Sequence, residues 1–223
     1  APFGAGALVG RLREGTPLLA GGGAIKLVTV DDVIWADAPD RFEAGSPNVV
    51  GVIALAAACR ALMTLGMDAV AAHERSLALR LWTGLARVPG LEMLTQWAPG
   101  SVDRVGVAAF NLARYRDPLL AAVLSAEHAI GVRHGCFCAH PLMTHLLGVP
   151  DDAAERLHDD LRADRTTQLP GAVRASIGLG TTVEDIDRLI AALQEIARYG
   201  PRHRYVHVPE HDEYQAEQGR FAA

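Results

Sequence analysis

Residues 41–48 read Arg-Phe-Glu-Ala-Gly-Ser-Pro-Asn and lead directly into an apolar stretch, Val49–Leu65. Ser46 is a favourable N-cap residue, and proline at position 47 suits the first turn of a helix because it has no amide hydrogen to leave unsatisfied. The stretch carries a single charge, so it predicts a helix that is buried on nearly every face and ends at Gly66. The start of such a helix also offers amide groups and a hydroxyl to a phosphate, although ordinary capping is the simpler interpretation of Ser46.

A second distinctive stretch, residues 133–142, reads Arg-His-Gly-Cys-Phe-Cys-Ala-His-Pro-Leu. It places thiols beside positive charge on a glycine-containing turn, and a thiol needs nearby positive charge and partial exposure to react as the thiolate. Two other interpretations stay open. Cys136 and Cys138 could fill space as small apolar residues, which is the commoner role of free cysteine. The alternating His and Cys residues would share one face of an extended segment and could bind zinc, but their spacing is unusual for zinc and no second cluster completes it, so we predict no metal.

The composition limits the classes of function. Of the 223 residues, 50% are hydrophobic and 21% are charged, which suits a globular chain with a substantial core. The formal net charge is −5 and the basic residues form no dense run, so there is no electrostatic case for binding nucleic acid or an anionic membrane. Three cysteines, an odd count, argue against a disulfide framework, and we expect a cytoplasmic location. No stretch has the length of a membrane span, and the first residues lack the basic start of a signal peptide.

The remaining pattern predicts an α+β arrangement. Strands are expected at residues 91–97, 105–112, 130–133 and 172–179. Helices are expected from Asp68 to about residue 88, at 117–128, at 141–147, and after the capping-box sequence at 181–184 as far as Gly200. Residues 151–168 are rich in charge and fit either a surface helix or an inserted loop. Residues 202–223 are polar without periodicity, and we interpret them as a tail.

The predicted strand at 172–179 alternates, with Val173 and Ala175 among the apolar residues of one face. Arg174 therefore points away from the apolar face. A guanidinium there, beside Arg133, would bind a carboxylate through paired hydrogen bonds, although a solvated strand residue is the simpler interpretation.

The beginning of the sequence is unusual. Residues 5–10 are small and apolar on both faces, which predicts a strand buried on both sides of a sheet. No covering βα units precede this strand, so we expect the chain to begin in the middle of a fold.

In their order along the chain, these motifs resemble the C-terminal half of the class V aminotransferase family of pyridoxal-phosphate enzymes, and most of all its type II cysteine desulfurases. Residues 1–10 resemble the family's Gly-Pro-x-Gly-x-Gly-x-Leu strand and residues 21–23 resemble its triple glycine. Residues 41–48 are nearly its Arg-Phe-Glu-Ala-Gly-Thr-Pro-Asn octet, a highly specific match. The resemblance extends to about Gly200.

The resemblance implies an α/β fold of fold-type I. On this basis residues 1–50 are the end of the sheet of the large cofactor-binding domain. Residues 51–200 form an α+β C-terminal small domain, and residues 201–223 are a polar tail.

The resemblance also assigns roles to residues. Ser46, with Gly45 before it, would hold the phosphate of pyridoxal 5′-phosphate in the partner subunit, which implies a homodimer with shared active sites. Arg174 would bind the carboxylate of a small amino-acid substrate, with Arg133 beside the nucleophile. Cys138, in Arg-x-Gly-x-x-Cys-Ala-x-Pro-Leu, matches the nucleophile that takes sulfur from cysteine as a persulfide while alanine leaves. A sulfur-acceptor protein is then an expected partner.

Several residues depart from the family pattern. Cys136-Phe137 stands where relatives usually have His-His, a variant closer to molybdenum-cofactor sulfurases, and His140 replaces Gln or Met. Residues 150–170 look longer than usual, and Leu179-Gly180-Thr181 stands where Tyr-Asn-Thr is common. These departures leave a transamination or lyase reaction on another amino acid as the alternative activity, with Cys138 as a bystander.

The cofactor-binding lysine of the family has no counterpart here. Lys26 is the only lysine in the sequence, and its position after the triple glycine does not match. We therefore expect the Schiff-base lysine and the rest of the cofactor domain ahead of Ala1, and the chain to be inactive alone. The competing interpretation is a catalytically inactive half-protein that serves as an interaction module. In the enzyme, Ser46 and Arg174 are expected to hold opposite ends of the cofactor–substrate adduct.

Overall fold

The computed structural model describes residues 4–10, 15–97, 101–165 and 169–217. Residues 1–3 of the opening motif and 218–223 of the predicted tail lie outside the described residues. The chain divides into two compact units, Ala1–Ala69 and Val70–Ala223, and each is described by itself.

The first unit contains a small antiparallel ribbon followed by one long helix. Strands β1 (Ile25–Val28) and β2 (Val33–Trp35) pair with each other, and a 3-10 turn at Asp40–Phe42 leads toward helix α1 (Val49–Leu65). The strand predicted at 5–10 is wrong: residues 5–10 form neither helix nor strand, and Leu8 and Val9 are 87% and 92% exposed. A strand buried on both sides needs strand neighbours, and among the described residues of this unit β1 and β2 pair only with each other.

Helix α1 begins and ends close to the predicted positions. Gly66 ends it with a positive φ of 82°, as predicted, but the N-cap is Asn48, whose side-chain oxygen accepts the amide of Gly51 at 3.0 Å. The prediction that Ser46 caps this helix is therefore wrong, since asparagine caps as well as serine and lies nearer to the first turn. The expected burial is also wrong: of the α1 residues only Gly51 is buried, and Val50 and Ile53 are more than half exposed.

The second unit is built on a four-stranded antiparallel sheet with the strand order β3-β4-β6-β5. Its strands are β3 (Leu91–Met93), β4 (Val107–Leu112), β5 (Arg133–Gly135) and β6 (Ala172–Ser176). The helices that pack around or connect these strands are listed here in chain order: α2 (Met67–Leu85), α3 (Asp117–His128), α4 (His140–Leu146), α5 (Asp151–Arg162) and α6 (Val183–Tyr199). The charged segment at 151–168 is thus a helix over most of its length.

The main core lies between one face of this sheet and helices α2, α3 and α6. Phe110 of β4 and Val173 of β6 are fully buried there, together with Leu81 of α2 and Leu193 of α6. Gly84 allows α2 and α6 to pack closely, because a Cβ atom at this position would lie 2.0 Å from the Cδ1 atom of an isoleucine on α6. A smaller apolar cluster, which includes Met143 of α4, lies apart from this core.

The predicted alternation of the last strand is confirmed. Val173 and Ala175 are buried, whereas Arg174 is half-buried and lies on the opposite face, paired across the sheet with Ala109. The capping box of α6 is shifted by one residue from the prediction: Thr182 is the N-cap and its reciprocal partner is Asp185.

The segment after Gly200 is not a structureless tail over its described part. It forms a hairpin of β7 (Tyr205–Val208) and β8 (Glu213–Ala216). Glu127 of α3 accepts hydrogen bonds from the amides of Arg202 and His203 and from the Tyr205 hydroxyl. Arg116 donates two hydrogen bonds to the carboxylate of Asp212 in the hairpin turn, at 2.9 and 2.8 Å.

Within the described residues, no single helix is long and apolar enough to span a membrane. Helices α1 and α2 meet that test of length and composition only when they are counted together.

Candidate active site

Two arginines face each other across the edge of the sheet in the second unit. Arg133 of β5 and Arg174 of β6 are directly opposite in the antiparallel register. Both line an open cleft of about 520 Å³, together with His134 and the side chain of Ser176. Like charges at directly opposed positions destabilise a sheet, so an anion between the two guanidinium groups would remove an unfavourable interaction.

Arg174 is held in part by an aromatic ring. Its guanidinium carbon lies 5.0 Å from the centre of the Phe137 ring, within the range of a cation–π contact. Its Nε atom is buried, and no hydrogen-bond acceptor for it lies among the described residues. A buried donor of this kind is costly unless a ligand supplies the acceptor.

The residue after Phe137 is Cys138, the predicted nucleophile. The amide of Ala139 donates to the carbonyl of Cys136 at 2.9 Å, and the two residues between them, Phe137 and Cys138, both have a φ of 57°. Positive φ at both central positions is the pattern of a type I′ turn, which Asn and Gly normally occupy. Each such residue costs about 1–3 kcal/mol and is typical of functional sites. The turn presents Cys138 to solvent.

The buried carboxylate of Asp117 forms a hydrogen bond with the backbone just before this turn. The Oδ2 atom of Asp117, in the first turn of α3, accepts the amide of Gly135 at 2.9 Å and lies 3.8 Å from the Nδ1 atom of His134. Burial raises the pKa of the Asp117 carboxyl above its usual range, although the bond from Gly135 and the nearby His134 act in the opposite direction. A Cβ atom at Gly171 would lie 2.4 Å from Oδ2, so this glycine is needed for the close approach.

Sequence reasoning assigned Asp117 only as the start of a helix. The sequence carries no signal for its second role: an aspartate ahead of Pro118 is an ordinary helix start, whereas in the structure Asp117 is only 9% exposed. Its amide partner lies 18 residues along the chain, which no local pattern indicates.

The four alternating His and Cys residues do not converge. Cys136 Sγ and His140 Nε2 are 3.0 Å apart, whereas His134 is directed toward Asp117. Within the part of the chain that the structure describes, no group of three or more His, Cys, Asp or Glu side chains could hold a metal ion.

In the first unit, the triple glycine packs on the backbone of the 41–48 octet. A Cβ atom at Gly21 would lie 2.0 Å from the carbonyl oxygen of Ala44, and one at Gly23 would lie 2.5 Å from that of Glu43. The amide of Gly23 also donates to Ala44 at 3.3 Å. The two motifs therefore form one substructure.

That substructure leaves the predicted phosphate-binding residues accessible. Ser46 and Gly45 are exposed, and among the described residues, apart from Gly45 and its two chain neighbours, no heavy atom lies within 4 Å of the place where a Cβ of Gly45 would stand. Arg41 has a local structural role, since its Nε atom donates to the carbonyl of Ala36 at 2.9 Å. Lys26 is engaged in an ion pair with Asp37 at 2.5 Å.

The family is shown by comparison with known proteins. The model of the family described as "Aminotransferase class-V" matches residues 1–189. The chain belongs to the class-V aminotransferase family. A cysteine desulfurase of Dickeya dadantii is 37% identical over 201 residues, which are 88% of this chain and 42% of that protein. The chain thus spans about two fifths of the length of this relative.

Solved structures of class-V enzymes show the same fold. The cysteine desulfurase CsdA of Escherichia coli, in its S-sulfonic acid form, is 29% identical, with a TM-score of 0.63 over 81% of this chain and 38% of that one. The apo cysteine desulfurase of Thermococcus onnurineus NA1 is also 29% identical, with a TM-score of 0.66 over 82% of this chain and 39% of that one. The predicted family and the predicted α/β fold of fold-type I are therefore confirmed.

The structure places the predicted site residues in two groups. Arg133, Arg174 and Cys138 lie in the second unit, where the Phe137 ring joins the turn of Cys138 to the arginine cleft. Ser46 and Gly45 lie in the first unit, beside the octet contacts described above.

Proposed function

We propose that the protein carrying this chain is a pyridoxal-phosphate-dependent cysteine desulfurase that takes sulfur from L-cysteine onto Cys138 and releases L-alanine. The observation that carries this proposal is the pairing of an anion-binding cleft with an exposed thiol on a strained turn. An amino acid offers one anionic group that the cleft can bind and, in cysteine, one sulfur that the thiol can attack.

Arg174 binds the substrate carboxylate in this proposal. Its planar guanidinium suits bidentate binding of a carboxylate, and its buried Nε atom gains an acceptor. Arg133 adds a second positive charge from the opposite strand. The Phe137 ring limits the orientations of the Arg174 head group, which reduces the entropy that binding would otherwise cost.

Cys138 acts as the nucleophile. Its sulfur attacks the substrate sulfur as the thiolate. Holding both reactants in the correct geometry is itself a large part of covalent catalysis, and the turn with two positive φ values fixes where the thiol points.

The residues present fit pyridoxal 5′-phosphate. The buried and unpartnered Nε atom of Arg174 is suited to the carboxylate of a cofactor-bound amino acid, and the open space at Gly45 with the exposed hydroxyl of Ser46 suits a phosphate. When bound, the cofactor supplies the electron sink that weakens bonds in the amino acid. Ser46 and Gly45 would hold the phosphate, and Arg174 would orient the substrate.

The assembly that we propose is a homodimer with shared active sites in the cytoplasm, with a sulfur-acceptor protein as a further partner. Support for the dimer comes from α1, whose exposed valine and isoleucine side chains suit burial in a larger assembly. We also propose that the Schiff-base lysine lies outside this chain, because Lys26, the only lysine of the sequence, does not match its position in the family.

The proposal is tested with the product of the complete reading frame, supplied with pyridoxal phosphate and L-cysteine. Replacing Cys138 by alanine is expected to lower the initial rate of L-alanine release by at least about 100-fold, because the thiol that attacks the substrate sulfur is then missing. Cys59→Ala is the matched control, since Cys59 is an exposed cysteine on α1, and its rate should equal that of the parent. A Cys138→Ala enzyme that releases alanine and sulfide at the parental rate would reject the proposal.

A further inference from the structure

Cys136 has a partner that the proposed desulfurase reaction does not use. Its sulfur lies 3.0 Å from the Nε2 atom of His140, the first residue of α4. A thiol and an imidazole at hydrogen-bond distance are the usual arrangement of a nucleophile with its base. Cys136 is half-buried, in contrast to the exposed Cys138.

The same pair lines a small cavity. Cys136 and His140 border a space of about 250 Å³ with Met143 of α4 and with Leu157 and Leu161 of α5. The lining is mainly apolar, and the space is large enough for an additional sulfur atom. A persulfide in this space would be less exposed to water and to other thiols than one on Cys138.

The turn brings the two cysteines close together. They are two residues apart, so their Cα atoms cannot be separated by more than about 7 Å. The hydrogen bond from Ala139 to Cys136 closes the turn between them. Two cysteines joined by a disulfide usually have Cα atoms about 4.4–6.8 Å apart, and a turn of this kind allows a separation in that range.

We propose that Cys136 is a second sulfur carrier that takes the sulfane sulfur from the Cys138 persulfide, with His140 as its base. This inference rests on the proposed function. His140 takes the proton of the Cys136 thiol, and the thiolate attacks the outer sulfur of Cys138–S–SH. The S–S bond at Cys138 breaks, its electron pair leaves on Cys138 Sγ, and that thiolate regains the proton from His140. The transfer moves one sulfur between two thiols and consumes no oxidant or reductant.

The site of the persulfide can be measured directly. The holoenzyme from the complete reading frame is given a single turnover of L-cysteine, quenched at a series of times with iodoacetamide and cleaved with chymotrypsin. Cleavage after Phe137 separates the two cysteines, so mass spectrometry locates the added sulfur. In the parent enzyme we expect the sulfur first on Cys138 and later on Cys136.

Three variants sharpen this experiment. Cys136→Ser should keep all of the sulfur on Cys138 while the burst of alanine is unchanged. His140→Asn should leave the burst unchanged and slow the appearance of sulfur on Cys136 by at least about tenfold, because it removes the base. Cys59→Ser should behave as the parent. Sulfur that stays on Cys138 in the parent enzyme at all times, or a His140→Asn variant with the parental transfer rate, would overturn the proposal.

Failure of the desulfurase proposal is a separate result. If the parent enzyme gives no alanine burst, the parent and a Cys138→Ser variant are treated with inorganic polysulfide instead and the same peptides are followed. Sulfur that reaches Cys136 in the parent but not in Cys138→Ser supports the sulfur-carrier proposal, and equal or absent loading of Cys136 in the two contradicts it.

Discussion

Arg174 is the residue on which substrate binding depends most. Its side chain contacts an aromatic ring, opposes a second arginine and carries a buried donor with no acceptor among the described residues. Lysine keeps the charge but cannot form the planar, bidentate contact. Arg174→Lys should raise the KM for L-cysteine about tenfold or more, since one charge-assisted hydrogen bond is worth about 1.5–3 kcal/mol. Steady-state kinetics of the complete enzyme measure this.

The control for this variant is Arg198→Lys, because Arg198 is exposed near the end of α6. It should leave KM unchanged. An Arg174→Lys enzyme with the parental KM would show that the carboxylate is bound elsewhere.

Asp117 predicts a dependence of stability on pH. Its pKa is raised in the folded state above its ordinary value of 3.8, so the folded chain holds this proton more tightly than the unfolded chain. The contribution of the Asp117 carboxyl to the free energy of unfolding therefore falls as the pH rises from 3.8 through the raised value, and this loss persists at higher pH. Asp117→Asn keeps an acceptor for Gly135 without the charge, so it should not show this loss. Urea unfolding of both chains across this pH range gives the difference.

Asp117→Ala separates charge from hydrogen bonding. It leaves the amide of Gly135 without its acceptor and should lower the free energy of unfolding by about 1–3 kcal/mol. If the parent and Asp117→Asn lose stability in parallel as the pH rises, the carboxyl is not the group responsible.

At the residue scale, the sequence predicted the face of a strand better than the local geometry of turns and caps. The alternation of β6 was sufficient to place Arg174 on the face opposite the core, whereas the role of Cys138 rests on the family resemblance and stays a prediction. The cap of α1 was placed at Ser46 rather than Asn48, because both residues suit a cap and the sequence does not show which oxygen reaches the amide of Gly51. The positive φ of Phe137 and Cys138 has no sequence signal, since neither residue favours it.

At the scale of elements, the triple glycine at 21–23 is the clearest case of residues required by packing, because two of its members lie against the backbone of the octet at 41–48. Gly21 faces the carbonyl of Ala44, whereas a Cβ placed at Gly22 has no heavy atom within 4 Å among the described residues beyond its chain neighbours. Gly21→Ala should therefore lower the free energy of unfolding by about 1–3 kcal/mol through steric overlap. Gly22→Ala is the matched control and should be neutral or slightly stabilising, because alanine restricts the unfolded chain. Chemical unfolding curves of the two variants test this; equal stabilities would contradict the packing described here.

The sequence predicted correctly those helices and strands that are defined by residues close together along the chain. Helix α3 has the predicted bounds because a proline near its start and an apolar stripe define it within a few residues. The strand expected at 5–10 and the burial expected for α1 depend on distant partners, which a periodic pattern cannot supply. The hairpin of β7 and β8 was missed for the same reason, since its position depends on Glu127 and Arg116 far along the chain.

At the scale of the whole molecule, the family and the fold-type I class followed from motif order, because the octet, the triple glycine and the cysteine loop occur at the family's positions. The residue roles are less accessible to sequence, since each depends on geometry that joins segments distant along the chain. The second unit nevertheless brings Arg133, Arg174 and the turn of Cys138 to one end of its sheet.

The most direct test of the central claim is a single turnover of L-cysteine by the complete enzyme carrying Cys136→Ser, in which transferred sulfur cannot leave for the neighbouring thiol. We predict that a persulfide forms on Cys138 in an amount equal to the alanine released, as measured by peptide mass spectrometry and amino-acid analysis of the same samples. Alanine formation while Cys138 stays unmodified at every time point would contradict the account.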